Sequence, residues 1–163
     1  MELILEIIRY NGQEYLCCKD EETYVNMSNP MVNFTKGEDE FEIVPVDPSY
    51  QKKVYLYRGH KVKLKPAFYP NGWPGLYLHD VRNKDNEFFL TVNLETTPAF
   101  GLPANTFIDC NNESEAMAFL IENGLATDLK YSRKNGFVDY PMVALNLPLI
   151  YQHEPQAFNQ ITI

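Results

Sequence analysis

The chain has little that marks a secreted or membrane-bound protein. Only three of its 163 residues are cysteines, and an odd number cannot form a complete set of disulfides within one chain. No apolar run approaches the length of a membrane span, and no basic segment precedes the first apolar residues. We therefore expect a soluble, cytoplasmic protein that does not contact a membrane.

The motifs of common enzymes are also missing. The sequence contains no glycine-rich phosphate loop, HExxH, CxxC or GxSxG. His79 and Asp80 are adjacent, but neighbouring strand residues point to opposite faces and would not converge as a base or as metal ligands. Cys110 precedes a predicted helix and could have a lowered thiol pKa, the alternative being a buried, unreactive thiol. We predict no catalytic residues, no metal, no cofactor and no enzymatic activity.

The chain is rich in apolar and aromatic residues. The apolar fraction is 45%, with 11 tyrosines and 10 phenylalanines, which is typical of a folded, β-rich protein. The net charge of −8 is uneven: residues 1–50 carry −8, residues 51–100 carry +4 and residues 101–163 carry −4. This asymmetry indicates either a charged partner or packing of the acidic segment against the basic one.

The first 50 residues are predicted to form an acidic hairpin and loop extension. Asn11-Gly12 lies between two apolar runs and suits the positive φ angles of a two-residue turn. On the return strand Cys17 and Cys18 are adjacent, and neighbouring cysteines pair only with strain. One thiol on each face of the strand is the simpler interpretation, and a redox pair is the alternative.

Residues 51–163 are predicted to form the core domain, in one compact unit with the extension. Alternating segments predict antiparallel strands, and residues 113–123 predict one principal helix, with Asn112 as N-cap and Gly124 at its end. The expected fold is α+β: a mainly antiparallel sheet of five to seven strands, the helix on one face, and the N-terminal hairpin extension.

Part of the core resembles a known family. The segments concerned are HKVKL (60–64), FFLTVNL (88–94), LPANTFIDCNN (102–112), AFLIENGLA (118–126) and NGFVDYP (135–141). Together they resemble a family of small bacterial proteins, described only as a domain of unknown function, on conjugative elements and phages of gut bacteria. The resemblance covers about residues 54–145. It implies a mobile genetic element as the setting, and it supplies no catalytic residues.

One candidate binding surface is basic. On a strand, Lys61, Lys63 and Lys65 share one face and could meet phosphates along a nucleic-acid backbone. Trp73 is a candidate for stacking on bases. The net charge of −8 opposes nucleic-acid binding at long range, and a lysine-lined face that protects an edge strand from aggregation is the alternative.

The second candidate surface is acidic. Glu38, Asp39, Glu40 and Glu42, together with residues 20–22, could imitate phosphate charge and occupy a basic groove of another protein. A solvated loop is the alternative. The setting implied by the resemblance favours the partner-binding interpretation.

The function predicted from the sequence is therefore a non-enzymatic interaction protein of a mobile element. It would bind a host or competitor protein through the acidic residues, as a counter-defence inhibitor would. The alternative is a nucleic-acid-binding accessory protein that uses the Lys61/Lys63/Lys65 face.

Overall fold

A computed structural model describes residues 3–160, and the fold is α+β. Antiparallel strands dominate it, and two short α-helices accompany them, α1 (Ala116–Glu122) and α2 (Leu147–His153). Each of these helices has seven residues and is too short to cross a membrane. The coarse fold class expected from the sequence is confirmed.

The N-terminal strands form the first sheet. In chain order they are β1 (Leu5–Tyr10), β2 (Gln13–Asp20), β3 (Thr23–Asn26), β4 (Asn33–Thr35) and β5 (Glu42–Val44). Their order across the sheet is β4-β3-β2-β1-β5, and neighbouring strands are antiparallel. Asn11 and Gly12 have φ angles of 51° and 77° between β1 and β2, which confirms the predicted hairpin turn.

The first sheet buries apolar side chains on both faces. Ile7 and Leu16 lie opposite each other and join the main core of the protein. The other face has a second cluster, formed by Ile8, Cys17, Tyr24 and Phe34. Because β4 and β5 lie at opposite edges, the segment between them crosses this face, and its Phe41 covers the cluster.

Two four-stranded sheets make up the rest. The second sheet contains, in spatial order, β6 (Tyr55–Tyr57), β7 (His60–Phe68), β8 (Pro74–Asp80) and β9 (Glu87–Phe89). The third contains β10 (Thr91–Val92), β11 (Asn105–Ile108), β12 (Ala126–Asn135) and β13 (Val138–Leu145), in the order β10-β11-β13-β12. The polar, basic composition of residues 132–136 is typical of a turn, but residues 132–135 belong to β12 and the turn begins only at Gly136, whose φ is 65°.

The predicted single sheet of five to seven strands is not confirmed, because the chain changes sheet at Leu90. The apolar segment FFLTVNL (88–94) has the pattern of one strand, but Leu90 separates β9 from β10. Its N–H donates to Leu76 O in the second sheet (3.1 Å), and its carbonyl accepts from Asp109 N beside the third (2.9 Å). The fully buried Leu90 thus connects two sheets, which strand periodicity does not reveal.

One apolar core joins residues from both predicted units. Ile7, Leu16 and Met27 of the N-terminal 50 residues pack with side chains of the second and third sheets and both helices. The two units therefore share a core.

The helix α1 begins later than predicted. The predicted N-cap Asn112 instead donates from Nδ2 to Asp109 Oδ2 (2.9 Å), and the N-cap position is Glu115, without a side-chain cap. The carboxylate of Glu113, the first residue of the predicted helix, accepts from Tyr57 Oη at 2.7 Å and pairs with Arg58, so a tertiary contact binds this side chain ahead of the helix. Gly124 ends the helix at φ 69°, as predicted.

The helix α2 was not predicted, although its signal is in the sequence. Asn146 is the N-cap and accepts from Leu149 N at 3.3 Å, and Pro148 lies in the first turn. An asparagine cap followed by proline is a typical helix start. The helix buries Leu147 and Ile150 in the main core.

Tyr24 provides a test of the second cluster, because its hydroxyl is buried and no described group hydrogen-bonds to it. We predict that Tyr24→Phe leaves the free energy of unfolding unchanged or raises it by about 1 kcal/mol, since an unsatisfied polar atom is removed. Tyr24→Ala should lower it by about 3–5 kcal/mol through the cavity left behind. Urea denaturation measures both, and equal losses in the two variants would contradict this account.

Candidate functional site

Two acidic segments that are distant in sequence meet at one end of the first sheet. The β2–β3 turn contains Glu21 and Glu22, and the segment after β4 contains Glu38. Thr23 pairs with Thr35, and the N–H of the next residue, Lys36, donates to the carbonyl of Glu22 at 2.9 Å. We call residues 20–22 and 38–40 together the acidic end.

The predicted acidic residues do not all belong to the acidic end. Glu38 and Glu40 are exposed there, and no described cation pairs with either of them. The carboxylate of Asp39 accepts the N–H of Thr35 at 2.9 Å and so stabilises the turn itself. Glu42 lies on β5, opposite Arg9 at the other end of the sheet, and pairs with that residue at 3.2 Å. Glu42 is therefore separated from the other three.

An apolar groove opens beside the acidic end. Its volume is about 550 Å³, and its lining residues are Cys18, Asp20, Val25, Asn26, Met27, Pro30, Ala99, Phe100 and Gly101. The floor is the face of β2 and β3 on which Cys18 and Val25 lie opposite each other. Asp20 belongs to both the groove and the acidic end, so the apolar and acidic surfaces are continuous.

The second wall of the groove is the segment 99–101, which hydrogen bonds at the next residue, Leu102, hold in place. Leu102 N donates to Met27 O (2.9 Å), and Ser28 Oγ donates to Leu102 O (2.8 Å). Gly101 has a φ of 68°, and a Cβ added there would lie 2.7 Å from the Met27 carbonyl oxygen. The close approach therefore requires glycine. It leaves the ring of Phe100 87% exposed.

The adjacent cysteines point to opposite faces of β2. Cys17 is fully buried in the second cluster, and burial raises its thiol pKa to about 12. Cys18 lies in the groove, and its pKa is also raised, first by partial burial and then by Asp20. Neither thiol is activated toward the thiolate.

The three predicted lysines lie on one face of the second sheet, as alternation requires. Lys63 lies opposite His79, and Lys65 lies opposite Tyr77. One strand further, Tyr77 lies opposite Phe89, whose ring stacks on it with 5.7 Å between centroids. Phe89 is 60% exposed. The lysine face therefore has an aromatic pair beside it.

Trp73 does not belong to this aromatic pair. Its Nε1 donates to the carbonyl of Thr97 at 2.9 Å, and its ring lines a small crevice with Val92 and Asn93 of the β10 region. Sequence reasoning missed Phe89, because its position beside the lysines depends on the pairing of β7, β8 and β9. The alternation of residues 76–80 and 87–89 was the available signal.

The remaining chemical candidates have structural contacts. His79 and Asp80 diverge, and Asp80 accepts from Arg82 N, Asn86 Nδ2 and His60 Nδ1 at 2.9–3.0 Å. These bonds, the one from Arg82 N first, lower the Asp80 pKa to about 2.

Cys110 Sγ donates to Asp139 O at 3.4 Å. Within residues 3–160 no three histidine, cysteine or acidic side chains are grouped so as to hold a metal ion.

Comparison with known proteins adds no relative from which a function can be transferred. No protein-family model matches the chain, and neither a curated protein nor a solved structure does. The functional argument therefore rests on the residues of the chain itself.

The glycine at position 101 allows a matched test of the groove wall. Gly101→Ala should destabilise the protein more than Gly136→Ala, by about 1–3 kcal/mol, because both residues have a positive φ but only Gly101 meets backbone. Urea denaturation gives the difference, and hydrogen exchange should show faster exchange at the Leu102 amide in Gly101→Ala alone. Equal stability of the two variants would mean that the approach of segment 99–101 to Met27 is looser than described.

Proposed function

We propose that the protein is a protein-binding module that takes a segment of its partner into the groove. The observation that carries this proposal is that the apolar groove opens directly beside the acidic end, through Asp20. Such a surface fits a segment with a large apolar side chain next to basic residues. Electrostatic complementarity would orient that segment, and apolar burial would supply most of the affinity.

Exposed apolar side chains at the groove support a protein partner. Phe100 on one wall and Met31, next to the lining residue Pro30, are 87% and 86% exposed. Aromatic residues and methionine are enriched in the cores of protein interfaces, where burial of such groups contributes most. A ligand confined to the groove would leave Met31 in water, whereas a peptide segment extending beyond the groove would cover both side chains.

The family resemblance implies a mobile genetic element as the setting, and this setting suggests which kind of partner the groove would bind. A protein of a mobile element would bind a host or competitor protein, and an acidic surface is suited to the basic, nucleic-acid-binding groove of a defence nuclease. In that case the acidic end would occupy the place of phosphates, and binding would inhibit the partner.

The test is selection of peptides from a random library on the wild-type protein. We expect the selected peptides to combine basic residues with a large apolar one. Their affinity should fall by about tenfold or more in Phe100→Ser, as for an interface hot spot. It should also fall in Glu21→Lys/Glu38→Lys, and this second loss should shrink as salt is raised. Fluorescence anisotropy of labelled peptides measures both effects.

Matched controls separate the groove from general surface effects. Phe137→Ser removes another highly exposed phenylalanine, at the β12–β13 turn, and Glu122→Lys/Asp139→Lys makes the same charge change elsewhere. Asp39 stays unchanged in every variant because its carboxylate holds the Thr35 N–H. If the controls weaken binding as much as the groove variants, or if the selected peptides are acidic, the proposal fails.

A second candidate function is nucleic-acid binding by the lysine face. The observation that favours it is the stacked pair of Tyr77 and Phe89 beside Lys63 and Lys65, since exposed aromatic rings next to cations are typical of single-strand binding surfaces. Against it, Lys65 already pairs with Glu154 at 3.2 Å, and the whole chain carries a net charge of −8.

This candidate predicts binding of single-stranded oligonucleotides that weakens steeply with salt. Phe89→Ala should cost about tenfold in affinity, the usual effect of losing one stacking ring, and Lys61→Ala/Lys63→Ala should reduce the salt dependence. Lys130→Ala/Lys134→Ala on the third sheet is the charge-matched control. Fluorescence polarisation at several salt concentrations measures the affinity for the oligonucleotides. Salt-independent or absent binding would remove nucleic acid as the ligand.

A further inference from the structure

A second, polar pocket lies at the end of the lysine face, and no residue of the groove lines it. It lies between the end of a 3₁₀-helix at Pro48–Lys52, β7, and the chain that leaves α2. Its volume is about 220 Å³, and the charged residues that line it are Lys53, Lys63, Lys65 and Glu154.

The charges in this pocket are predominantly positive. Three lysines face one carboxylate, and that carboxylate, Glu154, pairs with Lys65 at 3.2 Å. No described acid pairs with Lys53 or Lys63. The Lys53 ammonium lies over the rings of Tyr55 and Tyr50, at 5.1 and 5.9 Å from their centroids. Lys53 and Lys63 thus line one pocket without a described acidic partner, in a chain of net charge −8, and an anion bound there would be attracted by both.

The wall behind the lysines is neutral, and hydrogen bonds fix the orientation of its imidazole. His153 Nδ1 lies 2.7 Å from the Leu149 carbonyl oxygen, to which it must donate, so Nε2 accepts from Tyr55 Oη at 2.6 Å. Burial, and then the nearby Lys53, lower the His153 pKa, which keeps the imidazole uncharged. The positive charge of the pocket therefore comes from the lysines alone. The amides of Gln51 and Gln156 add neutral donors at the rim.

The size of the pocket limits what can enter it. Pockets that hold a whole small molecule usually begin at about 300 Å³, so this one suits a compact anionic group. A tetrahedral phosphoryl group accepts several hydrogen bonds from lysine ammonium and amide groups. The rest of such a ligand would extend along the sheet, where Tyr77 lies opposite Lys65.

We propose that this pocket binds a phosphomonoester, whose phosphoryl group lies among Lys53, Lys63 and Lys65. The ester could be a free small molecule or the 5′-terminal phosphate of a nucleic acid, since both present the same group. The proposal goes beyond the groove-binding function and does not depend on it, so either can fail without the other.

The test is an NMR titration of the ¹⁵N-labelled protein with inorganic phosphate, AMP and adenosine, at ionic strength held constant with chloride. Phosphate and AMP should shift the amide signals of Lys53, Lys63 and Glu154 in a saturable way, and adenosine should not. Lys63→Gln should weaken AMP binding by about tenfold, the usual effect of losing a charge-assisted hydrogen bond, whereas Lys134→Gln should leave it unchanged.

A variant that binds AMP more tightly complements these losses, because a damaged pocket would only weaken binding. Glu154→Gln removes the one carboxylate and releases Lys65, so AMP should bind about threefold or more tightly. Weaker AMP binding in Glu154→Gln, equal binding of adenosine, or equal effects of Lys63→Gln and Lys134→Gln would overturn the proposal.

A last comparison identifies the source of the phosphoryl group. A short single-stranded oligonucleotide is titrated with and without a 5′ phosphate. Tighter binding of the phosphorylated strand than of AMP assigns the pocket to nucleic-acid ends, and equal binding assigns it to small phosphomonoesters. Both results support the phosphoryl site, whereas equal binding of the phosphorylated and unphosphorylated strands contradicts it.

Discussion

The strands of the first sheet alternate between two apolar clusters, and most of the surface described above depends on that alternation. Ile7 and Leu16 point into the main core, while Ile8 and Cys17 point into the second cluster. A shift of the pairing by one residue would exchange the two sets, so burial on both faces determines the register. The register in turn places Cys18 and Asp20 in the groove, and it places the β2–β3 turn beside the segment after β4.

Burial on both faces also explains why the chain crosses the first sheet. The second cluster would be open to water if β5 simply followed β4 at the same edge. Instead residues 36–41 pass over the sheet, Phe41 covers the cluster, and β5 pairs with β1 at the far edge. This crossing separates Glu42 from Glu38 and Glu40, although the three are close in sequence. The acidic residues that remain together are those that a turn and a strand pairing bring to one end.

The charge asymmetry of the sequence becomes a separation of surfaces. The acidic end belongs to the first sheet, whereas the lysines belong to the exposed face of the second. The two sheets share a core, but none of the ion pairs in the described part of the chain joins the predicted acidic residues to these lysines. Each surface is thus available for a partner of opposite charge, which is why a protein segment and a phosphoryl group are proposed for different places.

Local patterns determined the hairpin at Asn11-Gly12, the lysine face of β7 and the glycine that ends α1, because each depends on backbone preferences or on strand alternation within a few residues. The same patterns determined the α+β class. Tertiary structure alone decided that Leu90 divides one apolar segment between two sheets and that Glu113 contacts Tyr57 instead of beginning the helix. It also decided that Phe100 and Phe89 lie at candidate binding surfaces. These outcomes depend on contacts between residues far apart in the chain, whose energies a sequence pattern does not contain.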